Sequence, residues 1–280
     1  MFEMVGRPAQ GRTFVGSRRV RLGDCSPGGR LRLDATARYL QDLSDDDTRD
    51  AGLAEMTWVV RRTVIDVHQF PTYLEAVDMV TWCSAIGSRW AERRVDVAEG
   101  SISSATLWVH LDATSLRPIP TSGEFEQVFA HSAAGRTVSS RLTLDPPPAD
   151  LKLAPWPLRF TDFDVMDHMN NAIAFALVEE VLARRRDLRA PLRIEVEYRS
   201  PVDRDVTVQV GGLDGAGYDG WVVDQLTRCL ITFRIRRFPL SELGGQPGAF
   251  IPSALRPPDA VSSEAPAAKS PTSHPLVNRL

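Results

Sequence analysis

Two carboxylates, an imidazole and two amides fall within one short stretch, Asp162, Asp164, His168, Asn170 and Asn171, directly ahead of an apolar helical run. Asn is a strong N-cap residue, and the first turn of a helix exposes backbone N–H groups carrying partial positive charge. A carbonyl oxygen placed there is polarised while Asp164 or His168 acts on its carbon, the carboxylate as general base or as nucleophile. The layout suits acyl transfer. The alternative is that Asp and Asn only cap a helix and His168 is structural.

The same pattern is legible twice. Asp24, Cys25, Ser26, Gly29 and Arg30 precede a helical segment over 34–51, as the motif at Asp162 precedes one over 172–188. Overlaid without a gap, Asp24 falls on Asp162, Ser26 on Asp164 and Arg30 on His168. Each helix is followed by a β-rich run that passes a proline, Pro71 in one copy and Pro201 in the other. Two copies are too few for a solenoid, so the repeat predicts two like domains packed together. Only the second keeps both Asp and His.

The elements that must position these residues follow from hydrophobic period. Leu33, Ala37, Leu40 and Leu43 form one apolar stripe of the first helix, and the run Asp45, Asp46, Asp47 reads as its solvated face. Alternation predicts strands over 18–22, 57–67, 76–84, 90–97 and 105–112, then over 193–199, 206–211, 220–226 and 228–238. His110, on the strand over 105–112, reads as a packed or rim histidine. The proline-rich stretch over 142–157 reads as a stiff crossing between halves. The expected organisation is therefore a first domain over 1–141, a linker over 142–157, a second domain over 158–242 and a disordered tail over 243–280. One long helix plus a meander of strands in each half gives an α+β chain: a double hotdog, two antiparallel sheets each wrapping a long central helix.

Composition sets outer limits. With 280 residues, 43% of them hydrophobic, the chain can bury one large or two medium cores. A formal charge of −3 argues against a nucleic-acid binder. No apolar run approaches the roughly 18 residues of a membrane span, and the first residues lack the basic and apolar regions of a signal peptide. Cys25, Cys83 and Cys229 have no metal-ligand spacing and fit a reducing cytoplasm.

On these motifs the chain resembles the acyl-acyl-carrier-protein (acyl-ACP) thioesterase family over nearly everything from Arg18 to Phe238. The resemblance is carried by the segment from Gly29 to Ala35, by Thr81 and Trp82 with Glu92 to Arg94, and by Ala105 to Val109. Arg117 to Pro120, the motif from Asp162 to Asn171, and Glu197, Tyr198 and Arg199 complete it. It implies a cytoplasmic hydrolase that releases free fatty acid from a fatty-acyl thioester, with acyl carrier protein as partner and no cofactor or metal. By the same resemblance Asp164 and His168 are catalytic, and Asn170 and Asn171 mark the oxyanion-binding helix start. Asp162 and Glu180 take supporting roles. The family's Asn between Asp and His is Met166 here, and its downstream Glu-Cys pair falls on Pro201 and Val202. That departure leaves open a degenerate hotdog protein that binds acyl chains, acyl-coenzyme A or acyl carrier protein without hydrolysis. A hotdog dehydratase fits the motif less well. Arg184, Arg185, Arg186, Arg234, Arg236 and Arg237 are candidates for carrier docking, and Trp58, Trp82, Trp90 and Trp108 for the acyl pocket. Either a monomer or a homodimer is compatible, since the tandem already pairs two hotdogs.

Overall fold

The computed structural model describes residues 4–237, so the expectation for residues 243–280 lies outside the described residues. The first half runs β1 (Phe14–Arg19), α1 (Leu33–Asp50), β2 (Thr57–Val67), β3 (Ala76–Ile86), β4 (Trp90–Val97) and β5 (Ile102–Leu111). A further helix, α2 (Gly123–Ala133), follows. The second half runs β6 (Ala154–Trp156), α3 (Asn171–Arg184), β7 (Leu192–Tyr198), β8 (Val208–Asp214), β9 (Gly217–Asp224) and β10 (Cys229–Arg237). The fold is mixed α+β.

The strands form one antiparallel ten-stranded sheet in the order β1-β3-β4-β5-β2-β7-β10-β9-β8-β6. Counted from either edge, the two halves repeat the same connectivity, with β6 to β10 standing for β1 to β5. The repeat read from the motifs is thus a repeat of topology. The expectation of two sheets is corrected to one, because β2 and β7 pair antiparallel from Arg62 opposite Glu197 to Val67 opposite Leu192. Hydrogen bonding of these two inner strands removes the edges that separate sheets would expose.

Both long helices bury apolar stripes in one shared core. Leu33, Ala37, Leu40 and Leu43 of α1 and Ala174, Phe175, Val178 and Leu182 of α3 belong to one cluster with Ile65, Val67, Ile194 and Val196 of the central strands. The helices run antiparallel: the Leu33 end of α1 meets Glu179 near the end of α3, with the Leu33 N–H donating to Glu179 Oε1 at 2.6 Å. Burying one such aliphatic side chain stabilises by about 1.5–3 kcal/mol.

Three local readings differ from expectation. Residues 18–22 are not a strand throughout: β1 ends at Arg19, and Leu22–Asp24 turn into a 3-10 helix because the Asp24 carboxylate accepts the Arg21 N–H at 3.0 Å. Helix α2 lies where the hydrophobic pattern predicts no element. Its signals are short: Ser122 caps it by accepting from the Phe125 N–H, and Phe125 and Phe129 bury one face against β3 and β4 residues Cys83 and Ala91. The crossing over 142–157 lies on the sheet and contributes β6. The Thr143 and Leu144 N–H groups donate to the buried Glu197 carboxylate, and the Trp221 indole donates to the Asp145 carbonyl.

The acidic run on α1 is only partly a solvated face. Asp45 and Asp46 are exposed, but Asp47 is fully buried, gripped by Arg12 at 2.7 Å and by Arg93 of β4. Consecutive helical residues point about 100° apart, so the third acid of the run rotates onto the sheet. Removing one partner of a buried pair leaves the other charge uncompensated, at about 3–5 kcal/mol. Asp47→Ala is therefore expected to lower unfolding free energy by about that amount in urea titration, while Asp46→Ala stays within about 0.5 kcal/mol of the parent.

Candidate functional site at the start of the second central helix

The motif folds as a tight loop whose backbone is fixed by its own carboxylates and carbonyls. Asp162 is buried and accepts from the Arg159 N–H at 2.8 Å and from the Arg159 guanidinium, closing a 3-10 turn. Its carbonyl then accepts the Asn170 N–H at 2.8 Å. Between them the chain doubles back, with the Asp164 N–H donating to the His168 carbonyl at 3.0 Å. Asp167 sits at the bend with φ of 60°, the position that Gly29 takes in the first copy with φ of 80°. Asp tolerates this left-handed conformation better than most residues. Asp162 is thus a structural clamp, the counterpart of Asp24.

Asp164 is held half-buried. Its Oδ1 accepts the Met166 N–H at 2.9 Å and its Oδ2 accepts from Asn170 Nδ2 at 3.4 Å. Asn170 is the N-cap of α3, its Oδ1 accepting the Ala172 N–H at 2.9 Å. One amide therefore joins the carboxylate to the helix start. The Asn171 N–H, next in line, has no acceptor among the described residues, while the Asn171 carbonyl receives the buried Tyr198 hydroxyl at 2.9 Å. Tyr198 ties the first turn of α3 to β7.

Asp164, Met166, Asn170 and Asn171 open onto a cleft of about 490 Å³. Its opposite wall comes from the first half: Gln41, Ser44, Asp45 and Thr48 of α1, and Trp58, Trp108, Met56 and Phe125. This volume falls in the usual range for sites that bury small organic ligands, about 300–1,000 Å³. Of the four tryptophans expected to line an acyl pocket, Trp58 and Trp108 do. Trp82 packs under Arg94, and the Trp90 indole donates to the Val138 carbonyl at 2.7 Å. Strand alternation decides this, since Cys83 faces the cleft and its neighbour Trp82 must face away.

His168 and Glu180 stand elsewhere. His168 turns from the cleft wall toward Asp203, with Nε2 at 3.2 Å from Oδ1, on the side where the two residues form a β-bridge. Glu180 is exposed and pairs with Arg184 at 3.7 Å. It takes no part in the cleft; the neighbouring Glu179 turns inward instead, to the start of α1, and binds Arg30 through both carboxylate oxygens, at 2.9 and 2.7 Å. Met166 keeps its side chain exposed and serves the loop through its N–H. The Val202 carbonyl accepts the Met169 N–H at 2.8 Å, so 201–202 brace the loop with backbone. His110 is buried and packs against Trp58, with Nδ1 at 2.9 Å from the Pro120 carbonyl, as a packed histidine should.

Most of the expected basic docking face is internally neutralised. Arg185 pairs with Asp187 and Asp214, and Arg234 and Arg236 both pair with Asp219. Arg186 and Arg237 are exposed.

Comparison with known proteins places this geometry. The N-terminal domain of acyl-ACP thioesterases matches residues 11–129 and their C-terminal domain matches residues 147–215. An uncharacterized protein of Mycobacterium tuberculosis is 33% identical over 204 residues, which is 71% of this chain and 82% of that protein. The chloroplastic palmitoyl-acyl carrier protein thioesterase of Arabidopsis thaliana is 25% identical over 234 residues, 73% of this chain and 56% of that protein. Among solved structures, the 12:0-ACP thioesterase from Umbellularia californica superposes with a TM-score of 0.66 at 20% identity, covering 84% of this chain and 98% of that one. An acyl-ACP thioesterase from Bacteroides thetaiotaomicron gives a TM-score of 0.67 at 13% identity, covering 80% and 97%. Matched in order by both domains, along a sheet that repeats its own topology, the chain belongs to the acyl-ACP thioesterase family.

Proposed function

We propose that this protein hydrolyses fatty-acyl thioesters, releasing the free acid, in a tandem hotdog whose first half supplies the acyl wall and whose second half supplies the reacting groups. The observation that carries the reading is the Asn171 N–H, without an acceptor at the start of α3, in the same cleft as the Asp164 carboxylate. The thioester carbonyl oxygen takes that N–H, and the Asp164 carboxylate accepts a proton from water as the water oxygen attacks the carbonyl carbon. Collapse of the tetrahedral intermediate breaks the C–S bond, and the proton held by Asp164 passes to the leaving thiolate. The products are a carboxylic acid and a thiol.

His168, paired with Asp203 at the outer side of the loop, holds the loop's orientation. Acyl carrier protein is the preferred carrier on family grounds, with Arg186 and Arg237 as the exposed cations left for docking. Met166 favours a second reading, acyl binding without turnover, because its side chain cannot donate the hydrogen bond an amide would give. We favour hydrolysis because Asp164 and the helix start do not depend on that side chain.

Cys83 also faces the cleft, but burial pushes its thiol up to about 12, so it stays protonated at neutral pH and is no nucleophile. Alkylation with iodoacetamide at neutral pH, read by mass spectrometry, is expected to label Cys25 and leave Cys83 unmodified.

The deciding assay is thiol release from long-chain acyl thioesters, with faster turnover expected on carrier protein than on coenzyme A. Inactivity across both panels together with tight fatty-acid binding selects the binding reading. Asp164→Asn should cost about 10² to 10⁴ in rate with the fold intact. Ser26→Ala and Glu180→Gln, away from the reacting groups, should leave turnover within about twofold, as expected for surface polar changes. Normal turnover in Asp164→Asn would return Asp164 to a helix-start role alone.

A further inference from the structure

Two cavities meet at the start of α3. The main cleft and a small cavity beneath it share three wall residues, Gln41, Trp108 and Asn171. Each carries an N–H donor that no acceptor among the described residues takes: the Asn171 backbone, the Gln41 side-chain amide and the buried Trp108 indole. A buried, unpaired indole N–H beside two donors open to the cleft makes a junction that suits an acceptor atom.

The repeat shows what kind of atom that is. The two loops share their hydrogen bonds one for one. Ser26 N–H to the Arg30 carbonyl matches Asp164 to His168, Arg32 to Asp24 matches Asn170 to Asp162, and Leu31 to Pro71 matches Met169 to Val202. In this overlay Leu33 corresponds to Asn171, and Gln41 on α1 corresponds to Glu179 on α3. In the first copy, Glu179 reaches across from α3 and seats a carboxylate oxygen on the Leu33 N–H at 2.6 Å, locked there by Arg30. The helix start therefore accepts an anionic oxygen, and in the first copy the protein fills that position itself. In the second copy the corresponding side chain is an amide, Gln41, and the Asn171 N–H stays free.

We infer that Gln41 is a catalytic residue contributed by the first half, its Nε2 donating to the thioester carbonyl oxygen beside the Asn171 N–H. This rests on the thioesterase reading and names a donor that the motif does not contain. A carboxylate at position 41 would occupy the site, as Glu179 does at Leu33, and would repel the developing oxyanion. The neutral amide leaves the N–H free and adds a second donor. One helix thus closes the silent site with Glu179, and its partner helix equips the working site with Gln41.

The test pairs turnover with binding of two non-hydrolysable probes, a long-chain S-oxoalkyl-coenzyme A ketone and the S-alkyl thioether of equal length, which lacks the carbonyl oxygen. The wild type is expected to prefer the ketone by about tenfold, the worth of about one hydrogen bond. Gln41→Met, of similar shape but with no donor, should lose most of that preference while thioether affinity holds, the Asn171 N–H supplying the remainder, and should lower kcat by about 10² to 10³ with little change in KM. Gln41→Glu should lose ketone binding as well. Retention of ketone preference and kcat in Gln41→Met overturns the inference and leaves hydrolysis standing. A wild type that binds both probes and hydrolyses no thioester defeats the thioesterase reading, and the ketone preference still judges Gln41. A wild type that binds neither probe and hydrolyses no thioester on either carrier removes both.

Discussion

The hydrogen-bonded pairing of β2 with β7 is the constraint on which the rest depends. It joins two five-stranded halves through their inner strands, from Arg62 opposite Glu197 to Val67 opposite Leu192. Once the halves share that ladder, the two long helices must lie side by side over one apolar surface, and the repeat makes them run antiparallel. The start of each helix then faces the flank of the other. A cleft with walls from both halves is the direct result, since the loop from Asp164 to Asn171 can only open toward the α1 side chains.

That same approximate symmetry makes the functional asymmetry easy to read. Both helix starts present backbone donors, and each is approached by one polar side chain from the opposite helix. Where that side chain is Glu179, paired with Arg30, the site is filled by protein. Where it is Gln41, the donor remains available. A carboxylate carries its own charge to the helix dipole whereas an amide does not, which is why one helix start is a structural anchor and the other stays open in the proposed reading.

Much of the fold was legible in the residues. The strands over 57–67 and 90–97 fall at the boundaries that alternation predicts, and both long helices start within one residue of expectation. The errors share a physical origin. The sequence points to Glu180 where Glu179 turns inward, and to a solvated Asp47 where that residue is buried. In each case one residue along a helix swings the side chain by about 100°, and nothing short of the packed neighbour says which turn faces in. Trp82 and Trp90 likewise look like Trp58 and Trp108 in sequence, although their strand register sends them to other surroundings.

The sequence by itself determined the local chemistry: a carboxylate and amides at a capped helix start, repeated in weakened form, on an α+β chain of family type. Those features depend on neighbours within a few residues, through turns, caps and hydrophobic period, and so they are written in the order of the chain. Only the tertiary structure decided that His168 faces Asp203, that the two sheets are one, and that Gln41 and Asn171 share a cavity wall. These are contacts between residues far apart in the chain. They follow from which strand edges pair and how two helices cross the surface so formed, a matter of packing that no local pattern encodes.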